Sequence, residues 1–438
     1  MNTPQPFRRG ADILAIAFAA TVAMWTLLYL AALPSALSPG GLLVSLGLVA
    51  CLFAAGYVAG RYAGRGLRGG AALGLVLAAI SSVILVGLLG ADTGDRARNA
   101  GQWIGGFLLA AVGLGALGAT LGEVVGRGRE RRQINWTSVL TWVTAVTLLL
   151  MLASGGIVTG LEAGLAVDGW LIAEGHFLVL FPMTLMQRDL GTFVEHAHRL
   201  WGLLVGLTTI VLMVHLWMVD RRRWVRGLSV AIVLAVIVQG VLGGTRVTEQ
   251  SVALGIAHGV FAQLIFAALF LMAQATSTAW TTDRVPTVAP RVRADRALGV
   301  ALVAMIVFQI GLGTMYRHLQ PVPDVPTGAL MGTLHGHSFV SSLGVVLLVL
   351  FCGVRAWGLY ADEPIVRRAG LALVHTMILQ VILGVASFVV VPKGLRGPDD
   401  PITFVEVGFT TAHQVMGAVL LAMAVALVAW ERRLLRPG

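Results

Sequence analysis

Charge is scarce in this sequence. Only 12% of its 438 residues are Asp, Glu, Lys or Arg, against about 25% in a soluble globular chain. So thin a supply cannot cover the surface of a water-soluble protein of this length. Cysteine is scarcer still: Cys51 and Cys352 are the only two, which excludes a secreted disulfide scaffold. Lysine is reduced to Lys393, so almost all positive charge is arginine. Acidic residues fall short of basic ones and leave a net charge of +10. An excess of that sign raises nucleic acid as a partner. The arginines, however, lie in clusters between apolar segments rather than along one face, and no nucleic-acid partner is expected. Phosphate-loop, zinc and dinucleotide patterns are also missing. The glycines Gly64, Gly66, Gly69 and Gly70 lack the Gly-Lys-Ser/Thr ending a phosphate loop needs and read as turn and packing glycines.

What is abundant is apolar. Hydrophobic residues make up 57% of the chain. Twelve apolar segments can be marked, at approximately 12–33, 41–60, 70–90, 102–126, 137–160, 194–218, 226–246, 251–275, 296–316, 330–354, 368–391 and 405–430. Each is long enough to cross about 30 Å of hydrocarbon as a helix. The expected fold is an all-α polytopic membrane protein of about twelve helices. The first segment follows Arg8 and Arg9, yet it is too long for a signal-peptide core and reads as a retained helix. Arginines alternate by side. One set of loops carries Arg61, Arg65 and Arg68, then Arg127 to Arg132, Arg221 to Arg226, Arg284 to Arg296, Arg355 to Arg368 and Arg432 to Arg436. The other set holds only Arg96, Arg98, Arg188, Arg246, Arg317, Lys393 and Arg396. The positive-inside rule then places both termini in the cytoplasm of a bacterial-type inner membrane.

The arginine-rich stretch after Gly126 divides the chain. Residues 1–130 form an accessory four-helix module rich in Gly, Ala and Leu and without histidine; all ten histidines follow residue 170. The remainder contains a weak repeat. Glu195-His196-Ala197-His198 matches Leu334-His335-Gly336-His337, and Gln239 to Gly243 matches Gln380 to Gly384. Ala257-His258-Gly259 matches Ala412-His413-Gln414. The first two pairs are offset by 139 and 141 residues, the third by 155, which a longer loop at 392–404 accounts for. Two four-helix halves in the same orientation follow, at 131–283 and 284–438.

Ionisable groups within bilayer helices are costly and usually mark function. His198, His258, His337 and His413 lie at similar depth on spans 6, 8, 10 and 12, two in each half. Paired imidazoles across a helical bundle suit the axial positions of a metal in a flat macrocycle, and haem is the natural candidate. A small residue stands one turn after each: Gly202, Ala262, Ser341 and Gly417. Close helix packing alone would also favour small residues there. His196 and His335 sit about 200° round their helices from the ligand candidates and face a loop, headgroups or a propionate. His176, His215 and His318 read as solvated, and His375 as held by an interhelical hydrogen bond. Glu195, one turn before His198, has no acidic counterpart, since Leu334 stands in its place. That asymmetry gives the halves different tasks, electron transfer in one and chemistry or proton transfer in the other. An ion pair of Glu195 with Arg199 is the plainer reading, and the two are compatible.

With these residues in place the second module resembles the haem A synthase family, over roughly residues 137–430. The resemblance rests on Gly155-Gly156-Ile157-Val158-Thr159, Gly164 to Val167, Gly175-His176, Leu180-Phe181-Pro182 and Glu195-His196-Ala197-His198-Arg199. It continues through Gln239 to Val247, Ala257-His258-Gly259, His337 and Ala412-His413. It implies an oxidoreductase that converts haem O to haem A for cytochrome oxidase by oxidising a methyl group to a formyl group. It further implies haem b between His337 and His413, and substrate haem O flanked by His198 and His258. Glu195 would be catalytic beside it, with Arg199 on a propionate or on Glu195. An electron donor is required, and haem O synthase or oxidase assembly factors are the expected partners besides the lipid membrane. Two departures stand out. The family pairs Asp directly with Trp, whereas Gly169 separates Asp168 from Trp170, and the loop has no cysteine pair to serve a thiol relay. Without the resemblance, a di-haem cytochrome exchanging electrons with quinone and a twelve-helix transporter are the alternatives.

Overall fold

A computed structural model describes residues 10–33, 41–89, 95–128, 130, 133–320, 325–391 and 402–438. The chain is all-α. Its long helices are α1 (Ala11–Ala32), α2 (Gly41–Ala63), α3 (Leu67–Leu89), α4 (Asp95–Gly126), α5 (Trp136–Gly160) and α6 (Leu190–Val219). They continue as α7 (Arg223–Thr248), α8 (Val252–Thr276), α9 (Val292–Leu319), α10 (Thr327–Leu359), α11 (Pro364–Val390) and α12 (Phe404–Leu434). Eleven of them are long and apolar enough to cross a membrane, and α3 adds a shorter apolar stretch, Leu67–Val83. Every sequence-marked segment coincides with one helix. Lys393, Arg396 and the 392–401 part of the long loop lie outside the described residues, as do Arg8 and Arg9.

Two compact units emerge. The first comprises Met1–Thr147 and Ala166–Val233, the second Leu148–Leu165 and Leu234–Gly438. In the first unit, α2 and α4 touch backbone to backbone. A Cβ on Gly56 would strike the main chain of Gly115, and one on Gly60 that of Ala119. Small residues a turn apart let two helices approach this closely in lipid, where no hydrophobic force drives them together. Asp12 of α1 is buried at 4% exposure. Arg65, at the α2–α3 turn, forks onto both of its oxygens at 2.6 and 2.8 Å. The pair brings an otherwise costly intramembrane charge into balance and ties α1 to that turn. Between α5 and α6 the loop makes a small hairpin, β1 (Ile172–Ala173) with β2 (His176–Phe177). Asp189 then caps α6, accepting the Thr192 N–H at 2.8 Å.

In the second unit α12 packs on α8, α9 and α11. Trp430 of α12 donates its indole N–H to Gln274 of α8 at 3.2 Å. The chain end adds a short parallel pair, β3 (Thr287–Val288) with β4 (Leu435–Arg436). On the arginine-rich side Asp295 accepts from Arg355 at 2.7 Å and from the Tyr360 hydroxyl. One irregularity matters for the site: α10 opens into a π-segment over Val340–Val345, three residues after His337. Such wide turns insert a residue into a helix and recur at functional sites.

Candidate functional site

Three of the four candidate histidines share one setting in the second unit. His258 on α8, His337 on α10 and His413 on α12 each lie against the preceding long helix. There a glutamine and a glycine one turn later meet the histidine: Gln239 and Gly243 on α7, Gln309 and Gly313 on α9, Gln380 and Gly384 on α11. A methyl on the glycine would stand 2.8, 2.8 and 2.9 Å from Cε1 of His258, His337 and His413. No real Cβ comes so close, so glycine is what gives each imidazole its place. Gln239 donates its amide N–H to the main-chain carbonyl of His258 at 3.0 Å, and Gln309 to that of His337 at 2.9 Å. The amide nitrogens of Gln309 and Gln380 also lie 3.4 Å from Nε2 of His337 and His413. On its other side His337 sets Nδ1 3.2 Å from the Gln309 carbonyl.

His337 and His413 face each other with ring centroids 6.2 Å apart and planes at 78°. Two imidazoles bound through Nε2 to opposite sides of one metal, each at about 2 Å, place their centroids about 6 Å apart. The side-chain oxygens of Gln309, Gln380, Gln263 and Thr411 and Nδ1 of His413 are buried without hydrogen-bond partners. Gly417, the small residue marked in the sequence, faces the Gln380 and Gln263 amides at 3.4 and 3.7 Å. Facing imidazoles among unsatisfied polar atoms and absent side chains fit a metal held axially.

In the first unit Glu195 and Arg199 organise the loop beside His198. Glu195 is 4% exposed. Its Oε1 accepts from Arg199 at 2.6 Å, and its Oε2 accepts the Val167 N–H at 2.8 Å. Arg199 donates onward to the carbonyls of Val167 and Gly169, each at 3.0 Å. The plainer reading of Glu195 is thus present in the structure: an ion pair one helical turn long, extended to the loop main chain. Gly169, the residue inserted between Asp168 and Trp170, has φ +83°, and a Cβ there would collide with the Ile172 carbonyl. The insertion is a left-handed turn residue whose carbonyl Arg199 captures.

Other histidines part from expectation. His215 is not solvated: it is 6% exposed and pairs with the Thr137 hydroxyl at 3.0 Å. His375 makes no interhelical bond through Nδ1, which instead lies 2.7 Å from the carbonyl of Leu371 in its own helix, on an exposed face. His196 meets the loop, 1% exposed and stacked on Phe181 at 4.3 Å. His176 approaches the same ring edge-on at 6.3 Å. His318 is half-buried beside Gly255, whose missing Cβ leaves room for both its ring and Arg246. His335 is exposed.

The family model for cytochrome oxidase assembly protein (COX15-CtaA) matches residues 139–425, about two thirds of the chain and all four ligand candidates. This chain belongs to that family. A relative named heme A synthase, from Erythrobacter litoralis (strain HTCC2594), is 25% identical over 341 residues, covering 64% of this chain and 92% of its own length. The COX15-CtaA match begins inside α5, so α1 to α4 lie outside it. Within the matched family region, sequence reading overlooked Gln309 and Gly313 and the role of all three glutamines. The signal was available: Gln-x-x-x-Gly recurs on α7, α9 and α11, each time one helix before a histidine. Arg317 was likewise overlooked, although it donates to the carbonyls of Thr159 and Gly160 at 2.8 and 3.1 Å and so caps α5.

Proposed function

We propose that this multi-pass membrane protein is a haem A synthase, an oxidoreductase that converts haem O to haem A by oxidising a porphyrin methyl group to a formyl group. The observation that carries the reading is the His337–His413 pair, 6.2 Å apart within the family-matched region. The relative's name, heme A synthase, supports the reaction. In this reading His337 and His413 hold a resident haem b, which when bound supplies one-electron transfer. His198 and His258 serve the substrate haem.

Methyl oxidation releases electrons and protons together. Glu195 is the residue assigned to the protons. A carboxylate has about four acceptor positions; Arg199 and Val167 take one on each oxygen, leaving room for a proton or water. The same bonds fix its position, so it acts without reorganising. Arg199 holds Glu195 and the loop rather than a propionate. The domain division proposed is an accessory module at 1–130, a substrate half at 131–283 and a haem b half at 284–438. The arginine pattern supports cytoplasmic termini. An electron donor, and contact with haem O synthase or oxidase assembly factors, complete the proposal.

Pigment extraction and mass analysis after expression with a haem O supply test it. Haem A and hydroxylated haem O are expected. Haem b alone, with two equivalent low-spin signals, would assign the chain to electron transfer without synthesis.

A further inference from the structure

The histidines are held by a device that recurs three times, and its chemistry is directional. An imidazole ligates through a nitrogen lone pair, so Nε2 must be free of its proton and Nδ1 must carry it. At His337 one residue, Gln309, addresses both nitrogens. Its main-chain carbonyl sits 3.2 Å from Nδ1 and can only accept; its amide nitrogen sits 3.4 Å from Nε2 and can only donate. Together they favour the tautomer with the proton on Nδ1 and the lone pair on Nε2. The second amide hydrogen goes to the His337 carbonyl at 2.9 Å, anchoring the clamp to the ligand helix. Gly313, one turn on, lets the ring lie against α9 so that these contacts form.

Gln380 repeats the amide contact to Nε2 of His413, with Gly384 beneath the ring. Gln239 repeats the carbonyl anchor at His258, with Gly243 beneath that ring. The contact to Nε2 is the one that ligation would replace, while the anchor to the main-chain carbonyl of the histidine does not depend on it. An imidazole so held is already poised before any metal arrives.

We propose that Gln309, Gln380 and Gln239 are positioning residues that select the metal-binding tautomer and rotamer of His337, His413 and His258. The proposal rests on the reading of these histidines as haem ligands. It also gives the repeat a physical asymmetry. Gly155-Gly156 of α5 matches Gly243-Gly244 of α7, but Met151 stands where Gln239 would be. The resident pair therefore carries two clamped ligands. Of the two histidines assigned to the substrate, only His258 is clamped, as suits a haem that must leave.

The test uses the full-length protein, stripped of haem and titrated with haem b, with the ferric low-spin resonance recorded at saturation. Gln309→Leu removes the donor at similar volume, and Gln309→Glu keeps size while turning the donor into an acceptor when ionised. Both, and Gln380→Leu, are expected to weaken haem b binding by about 10–100-fold, the usual effect of losing a group that orients a metal ligand. A shifted low-spin signal should accompany the loss, which a merely structural glutamine would not cause. Gln274→Leu, which removes the Trp430 partner away from the histidines, should leave that signal unmoved. If the leucine variants do not accumulate, Gln309→Glu decides alone. Wild-type affinity with an unshifted signal in Gln309→Glu, while His337→Ala loses haem, overturns the clamp. Retention of haem by both His337→Ala and His413→Ala overturns the ligand assignment beneath it.

Discussion

Glu195 accepts the main-chain N–H of Val167 at 2.8 Å across 28 residues of chain. The loop after α5 is thereby fastened to the helix that carries His198, through the carboxylate assigned to proton transfer. Glu195→Gln keeps size and an acceptor for Val167 but removes the charge facing Arg199. Haem b at His337 and His413 is expected to remain while haem A formation collapses and haem O or a hydroxylated product accumulates. Parental haem A yield at matched protein level would reduce Glu195 to a structural partner of Arg199.

Glu195→Ala should do more. It strands Arg199, whose side chain is only 10% exposed. Breaking one side of a buried pair costs about 3–5 kcal/mol. Limited proteolysis within 161–189 is expected to accelerate in Glu195→Ala and much less in Glu195→Gln.

Gly169 and Gly128 both adopt left-handed φ, +83° and +73°, but only Gly169 faces a carbonyl that a Cβ would hit. Gly128→Ala should cost about 1 kcal/mol, the backbone term alone, and Gly169→Ala about 1–3 kcal/mol or more. Thermal unfolding of the two variants, measured side by side, checks the ordering.

Asp189 caps α6, and its pKa is lowered by the Thr192 main-chain N–H and hydroxyl. A lowered folded pKa means that the cap stabilises above the unfolded value of about 3.9 and is lost as pH falls through the folded one. Hydrogen exchange at residues 190–193 should therefore be protected at neutral pH and lose that protection in acid. Asp189→Asn, which caps without titrating, should flatten the dependence.

Orientation is checked by labelling. With Cys51 and Cys352 replaced, Asp168→Cys should react with an impermeant thiol reagent in intact cells. Arg221→Cys, on an exposed arginine of the other side, should react only once the membrane is opened. The reverse pattern would invert the protein.

Helix number and placement were legible because twenty-residue apolar runs admit one solution in lipid. The four histidines were legible because an imidazole inside such a run stands out. Gln309 did not stand out: a neutral amide in a span carries a modest cost, and its partner lies 28 residues away on another helix. His215 was misread for a related reason. Its position near a span end suggested water, but Thr137 reaches it from α5, and sequence distance conceals that meeting. Gly169 read only as a departure from a family pattern until its φ and the Arg199 contact gave the insertion a shape.

The wide turn in α10 settles how the two halves are to be aligned. Gln239 follows His198 by 41 residues, whereas Gln380 follows His337 by 43. One extra residue lies in the connection, 360–363 against 220–222, and the other lies within α10, which opens over Val340–Val345 where α6 stays regular. A gap placed in the loop alone would therefore shift the register of the rest of α10, from Val346 to Leu359, by one residue. At 3.6 residues per turn that misassigns its faces by about 100°. Inherited indels of this kind lengthen a chain without lengthening the helix count, and they leave the ligand in place while turning everything beyond it.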